Sequence, residues 1–248
     1  MMARPARDHP LDDLVWNALR SSQSHLAQWG PGGRAGRFDP AISVFGAIEH
    51  PDPGAWEDLA QLVGADGVAV FFCRNPPPPP PAWKELVRVP GRQMIAGDVT
   101  AVDGEAPVEL GPDDRDEMLA LAQLTEPGPF LRDTPEMGTY LGIREAGRLV
   151  AMAGERMRIP GWTEISAVCT HPDVRAQGHG SRLTRAMVEH IRARGDEALL
   201  HVVETNTAAI RLYEALGFER RERVDALVIS PPDPGQAPSF RGDSERTG

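Results

Sequence analysis

The segment AVCTHPDVRAQGHGSRLTRAMVEHI limits the fold more than any other part of this 248-residue chain. A strand-like run ends in a turn, Arg175-x-x-Gly178-x-Gly180 follows, and an amphipathic helix starts at once. Backbone N–H groups at a helix start lack intrahelical partners and sit at the positive end of its dipole. A glycine-lined turn there can therefore wrap an anionic pyrophosphate. Gly178 and Gly180 let a phosphate come close to the backbone, and His179 and Ser181 add N–H donors. A tight strand-to-helix connection that needs glycine only for its φ angle has the same appearance. The short string arises easily by chance, so its meaning comes from its setting.

That setting is α/β in pattern. Leu11, Leu14, Val15, Ala18, Leu19, Leu26 and Trp29 recur at helical spacing behind Asp12 and Asp13, which predicts an amphipathic helix. Residues 41–48 (AISVFGAI) read as a strand, 53–63 as a helix and 67–72 as a buried strand. Pro76 to Pro81 form an uninterrupted proline run inside folded sequence, read as a stiff spacer in preference to a docking motif. The acidic, glycine-containing stretch 97–107 lacks either periodicity, so a domain seam is placed near residue 104. Beyond it come a strand VEL and a helix opened by Gly111 and Pro112. Residues 125–138, with three prolines, form an irregular wall, and three strands of an antiparallel meander follow over 139–144, 148–158 and 162–170. The pattern closes with a helix over 178–194, a strand, a helix over 206–216 ended by Gly217, and a last strand. The expected division is 1–104 as an N-terminal α/β domain, 105–230 as a second domain, and 231–248 as a loose tail.

Composition narrows the function. The chain carries 26 basic and 36 acidic side chains, a net charge of −10. That balance repels phosphate backbones and acidic headgroups, which argues against nucleic acid as a partner. No apolar stretch reaches the ~18 residues needed to cross a bilayer, and no leader pattern precedes the first helix, so no membrane partner and a cytoplasmic protein are expected. Cys73 and Cys169 are far apart and outside metal spacing, and His171 and His179 have no third ligand, so no metal site is expected.

A second motif lies in ETNTAAIRLYEALGF, where Asn206 caps a helix and Tyr213 follows seven residues later on the same face. A phenol with an ordinary pKa of about 10 can protonate a departing thiolate whose thiol titrates near 8.5. Taken alone, the same residues could simply cap and pack the helix.

In this order, with a helix and a strand between them, the two motifs resemble the GNAT superfamily of acyl-CoA-dependent N-acyltransferases over roughly residues 105–230. The resemblance implies a mixed, mostly antiparallel sheet flanked by helices, an α/β (α+β) fold, preceded here by the smaller N-terminal α/β region. It implies that the sheet is splayed between the strand ending at Thr170 and the strand ending near Thr205, with pantetheine in the gap. By the same resemblance the backbone of Val168, Cys169 and Thr170 would pair with pantetheine. Arg175, Ala176, Gln177, Gly178, His179, Gly180 and Ser181 would hold the pyrophosphate, with Arg182 and Arg185 extending a basic patch. Asn206 would contact the cofactor arm or substrate, and Tyr213 would protonate the thiolate. Acetyl-CoA is the implied acyl donor, and a small-molecule or peptide amine the acceptor. Where the ribosomal-protein branch of the family has a glutamate base five residues before the helix-cap asparagine, this chain has His201; Glu164, on the strand where many family members place a carboxylate base, is the other candidate, with Glu155 and Glu204 behind them. A non-catalytic CoA-binding sensor or scaffold is the competing reading. For the N-terminal region a degenerate half, a lid and a homodimerisation module all stay open.

Overall fold

In the helix over 178–194 the apolar residues Leu183, Met187, Val188 and Ile191 fall on one stripe, and all four are fully enclosed. Each such burial contributes about 1.5–3 kcal/mol, so this stripe pins the helix to the sheet beneath it. The computed structural model describes residues 9–100 and 106–232. After a 3₁₀ turn at Pro10–Asp13 the elements run α1 (Leu14–Arg20), β1 (Ala27–Trp29), β2 (Ala35–Phe38), β3 (Gly46–Ile48), α2 (Pro53–Val63), β4 (Ala69–Cys73) and β5 (Lys84–Ala96). They continue with β6 (Val108–Leu110), α3 (Arg115–Thr125), β7 (Tyr140–Glu145), β8 (Arg148–Ile159), β9 (Trp162–Thr170), α4 (His179–Ala193), β10 (Glu197–Val203), α5 (Thr207–Ala215) and β11 (Phe218–Ser230).

Eight strands form one sheet in the order β4-β11-β5-β10-β9-β8-β7-β6, and β1-β2-β3 make a small second sheet. Within the large sheet β9 and β10 are parallel and every other pairing is antiparallel. Helices α4 and α5 cover one face, packing on Val150, Ile165, Leu200 and Phe218. The other face is covered by α1, with Leu14, Val15 and Leu19 near Met157 and Leu199, and by α3, with Met118, Leu121 and Ala122 near Tyr140, Met152 and Cys169. No helix among the described residues is long and apolar enough to cross a membrane.

Two expectations for the N-terminal region need correction. The helix stops at Arg20, and residues 24–29 form a 3₁₀ turn and β1. Gln23 is buried here, donating to the carbonyls of Met137 and Arg156 at 3.0 and 2.7 Å and accepting from the Arg158 N–H at 3.1 Å. Those bonds satisfy backbone groups at a bulge in β8, something a continued surface helix could not supply. Likewise only Gly46–Ile48 of the 41–48 segment is strand. Asp39 accepts the Ala41 N–H with its side chain and the Ile42 and Ser43 N–H groups with its carbonyl, which winds residues 39–43 into a turn.

The seam expected near 104 falls between β5 and β6, partly in residues outside the described set, and the tail from 233 onward is also outside it. Strands from both sides of that seam share hydrogen bonds: β5 lies between β10 and β11, and β4 pairs with β11. The N-terminal hundred residues thus supply two strands to the sheet that carries the candidate site.

Candidate active site

β9 and β10 pair only from Trp162–Glu197 to Ile165–Leu200, although both strands run on to Thr170 and Val203. β10 stays bound to β5 on its other side through Val203–Gly91. In β9 an extra residue enters between Ser166 and Cys169 relative to β8, and Ala167 takes a left-handed conformation (φ 52°). A bulge of this kind bends and twists its strand, which is how β9 leaves β10. The result is a cleft of about 420 Å³ between Ser166–Thr170 and His201–Val203, with Thr125–Gly128 forming part of its wall.

Some of the sequence-predicted site residues border this cleft, and residues 176–181 do not line it. Val168, Cys169, Thr170, Arg175, Asn206 and Tyr213 all line it. Asn206 Oδ1 accepts the Ala209 N–H at 3.1 Å, which caps α5 and fixes that end against the gap. Tyr213 is buried beside Phe218, ring centroids 5.8 Å apart, and burial pushes its hydroxyl up to about 12. Burial likewise raises the Cys169 thiol, so it stays protonated.

At the mouth, Ala176 (φ 62°) and Gly178 (φ 85°) are left-handed, and Gly178 caps α4. The first bond into the helix is from the Arg182 N–H to the Gly178 carbonyl at 3.0 Å, so the N–H groups of His179, Gly180 and Ser181 precede the helical ladder. A side chain built on Gly178 would meet no atom, and one on Gly180 only Val168 at 4.0 Å, so the turn borders open space. His179 is tied to Glu145 at 3.1 Å, and Gln177 lies in the same exposed turn. Arg185 departs from the expected basic patch: it reaches away to the Thr100 carbonyl at 3.1 Å.

At the deep end Glu164 and His201 meet, with His201 Nδ1 2.6 Å from Glu164 Oε1. Arg156, from β8, holds the same carboxylate side-on, its Nε 2.9 Å from Oε2 and its Nη2 on Oε1. Burial alone would raise the Glu164 carboxyl, but the Arg156 charge and the hydrogen bonds from Arg156 and His201 outweigh it and hold it at about 2. Burial lowers His201 below the ordinary histidine value, and Glu164 only partly offsets this. Glu164 is fully enclosed and does not line the cleft, whereas His201 and Arg156 do. Of the lesser candidates, Glu155 is held by Arg194 at 2.8 Å near the end of α4, and Glu204 is paired with Arg92.

Of the two candidate bases, His201 borders the cleft, while Glu164 is enclosed and bonded to Arg156. A carboxylate clamped side-on by a guanidinium and held near 2 is a weak proton acceptor. The other ring nitrogen of His201 already faces the Gln93 amide at 2.9 Å. Gln93 and Arg156, which hold these two side chains, carry no signal in the sequence, because their partners lie on neighbouring strands 108 and 8 residues away. Among the described residues no group of three or more His, Cys, Asp or Glu is placed to hold a metal.

The comparisons with known proteins bear on the same elements. The family profile described as FR47-like protein matches residues 140–226, from the start of β7 into β11. A solved GNAT-family protein from Novosphingobium aromaticivorans is 42% identical, covers 90% of this chain and 99% of its own, and superposes with a TM-score of 0.83. The chain belongs to the GNAT family of acetyltransferases. At 90% coverage the likeness includes most of the first hundred residues, well beyond the 105–230 span legible from the motifs. Among curated GNAT relatives, the mycothiol acetyltransferase of Thermobispora bispora is 50% identical over 58 residues, 23% of this chain and 20% of that protein. The mycothiol acetyltransferase of Kocuria rhizophila is 42% identical over 205 residues, 71% of this chain and 64% of that one. The chain thus spans less than two thirds of the length of these curated relatives.

Proposed function

We propose that this GNAT protein transfers an acetyl group from acetyl-CoA to a primary amine by direct attack in a ternary complex. The observation that carries the reading is the convergence of both motifs on one cleft: Arg175 and the α4 start at its mouth, Asn206 and Tyr213 along its wall. The diphosphate lies on the N–H groups of His179, Gly180 and Ser181 with Arg175 beside it. Pantetheine then runs between the unpaired edges of β9 and β10, its amides meeting backbone groups of Val168–Thr170.

The neutral amine attacks the thioester carbonyl, the C–N bond forms, and the C–S bond breaks as the tetrahedral species collapses. One proton leaves nitrogen and one reaches sulfur. Tyr213, protonated at any working pH, donates its O–H to the developing thiolate and regains a proton from the nitrogen through water in the open cleft. Holding both reactants in line supplies much of the acceleration. Glu164 and His201 act as positioning residues that fix Arg156.

The test is release of free CoA thiol from acetyl-CoA across an amine panel. Turnover with at least one amine supports the reading. Tight acetyl-CoA binding with no turnover on any acceptor would replace it with the sensor reading.

A further inference from the structure

We propose that Arg156 is the acceptor-binding residue of the cleft, and that the acceptor is a primary amine bearing a carboxylate a few bonds from its nitrogen. The inference rests on the acyl-transfer reading and names the substrate class for that site.

Arg156 is a guanidinium with one edge spent and one edge open. Nε and Nη2 hold the two oxygens of Glu164, while Nη1 has no hydrogen-bond partner among the described residues. A guanidinium carries five N–H donors in a planar fork, so Nη1 and the second hydrogen of Nη2 form an outer edge able to take another carboxylate in two parallel bonds. This edge belongs to a residue that lines the cleft and whose side chain is 11% exposed.

The side chain is also held in place. Its guanidinium carbon lies 5.0 Å from the Phe45 ring centroid and 5.3 Å from that of Phe72, two rings stacked at 5.5 Å. Glu164, itself bonded to His201, fixes the third side. A donor so confined loses little entropy on binding.

Its location assigns it to the acceptor and not to the CoA. Arg175 stands by Thr170 at one end of the cleft, and Arg156 stands by Ile165 at the other. Ile165 and Thr170 face Glu155 and Ala151 of β8, four strand steps or roughly 13 Å apart. The CoA diphosphate occupies the Arg175 end. Arg156 reaches the cleft from β8, beside Phe45 and Phe72 of the core under α1, away from the start of α4. Glu126, at the C-cap of α3, also lines the cleft, so its charge complements the ammonium of a zwitterionic amine.

The test uses the full chain and matched pairs of α-, β- and γ-amino acids with their carboxamides. CoA thiol release is measured for each, and calorimetry is run on acetyl-CoA-loaded protein. At least one acid is expected to exceed its amide tenfold or more in kcat/KM and in affinity. Arg156→Gln should erase the difference while acetyl-CoA binding is kept, and the double variant Arg156→Met/Glu164→Met should do the same without stranding a buried carboxylate. Equal values for acids and amides in the unaltered protein, turnover of amines but of none of the acids, or absent heat with every acid would overturn the inference. Absence of all turnover, with an acid still binding tenfold tighter than its amide, would overturn the transfer reading alone and leave the carboxylate site standing.

Discussion

The Gln93 amide nitrogen lies 2.9 Å from Nε2 of His201, and this contact fixes the proton inventory at the deep end of the cleft. Gln93 Oε1 accepts from Arg221 Nη1 at 2.6 Å, and Gln93 Nε2 donates to the Leu11 carbonyl at 3.1 Å. A guanidinium can only donate and a carbonyl can only accept, so the amide orientation is set at both ends. Its N–H₂ therefore points at His201, whose Nε2 must be the acceptor and whose Nδ1–H donates to Glu164. His201 should accordingly stay neutral across the neutral pH range. Ring ¹⁵N and ¹³C shifts followed by NMR are expected to show it titrating only below the ordinary histidine value, and Gln93→Leu should move that titration. A His201 titrating at 6.5 or above in the unaltered protein would contradict this inventory.

Tyr213→Phe removes the α5 hydroxyl that lines the cleft and is proposed to protonate the departing thiolate. A positioned proton donor contributes typically about 10²–10⁴-fold. A fall in kcat of about 10²-fold or more is expected in steady-state kinetics, with acetyl-CoA affinity by calorimetry little changed. Because burial holds the hydroxyl at about 12, no alkaline loss of rate below roughly pH 11 should trace to this residue. An alkaline limb near 8 that disappears in Tyr213→Phe would contradict the raised hydroxyl value, and an unchanged kcat in Tyr213→Phe would rule the assignment out.

Gly178→Ala places a Cβ in a left-handed conformation, φ 85°, with open space around it. The strain costs about 1 kcal/mol, and relief of it would swing the first N–H groups of α4 out of line. Acetyl-CoA is expected to bind about tenfold more weakly, a loss of about 1.4 kcal/mol, while kcat at saturating donor is retained. Calorimetry paired with donor-saturation curves separates the two quantities.

Glu164→Gln leaves the Arg156 charge without its counter-ion in a buried setting. Breaking such a pair costs on the order of 3–5 kcal/mol, visible as a lower midpoint in urea unfolding. The pH dependence follows from the same group. Its folded value of about 2 lies below the ordinary 4.5, so the unfolded chain binds the extra proton as the medium acidifies. Stability is full above about 4.5 and is lost as pH falls toward 2, and the lowered His201 value adds loss in the same direction below 6.5. Stability curves at pH 3–7 should flatten over the lower part of this window in Glu164→Gln.

Much of the large sheet was legible because its signals are local. Helix α2 matches the expected 53–63, with a capping Asp52 and proline at its first position, and α4 and α5 follow from apolar stripes ended by glycine. Arg175, Asn206 and Tyr213, which border the cleft, belong to motifs with the same kind of local signal. The deep end was not legible in this way. Arg156 looks like any strand arginine until β8 and β9 are in register, and the ties of Glu164 and His201 to Arg156 and Gln93 exist only once β8 and β5 lie beside them. The helix expected through Trp29 failed similarly: Gln23 is claimed by a bulge more than 110 residues away, and no window around Gln23 contains that competitor.

The insertion of β5 between β10 and β11 makes the amino-terminal hundred residues indispensable to assembly. Residues 140–226, the span of the recognised profile, would leave β10 and β11 as two bare margins with no shared neighbour. An excised carboxy-terminal fragment would therefore be prone to clumping, and a nascent chain must keep its early strand waiting until the last ones emerge from the ribosome.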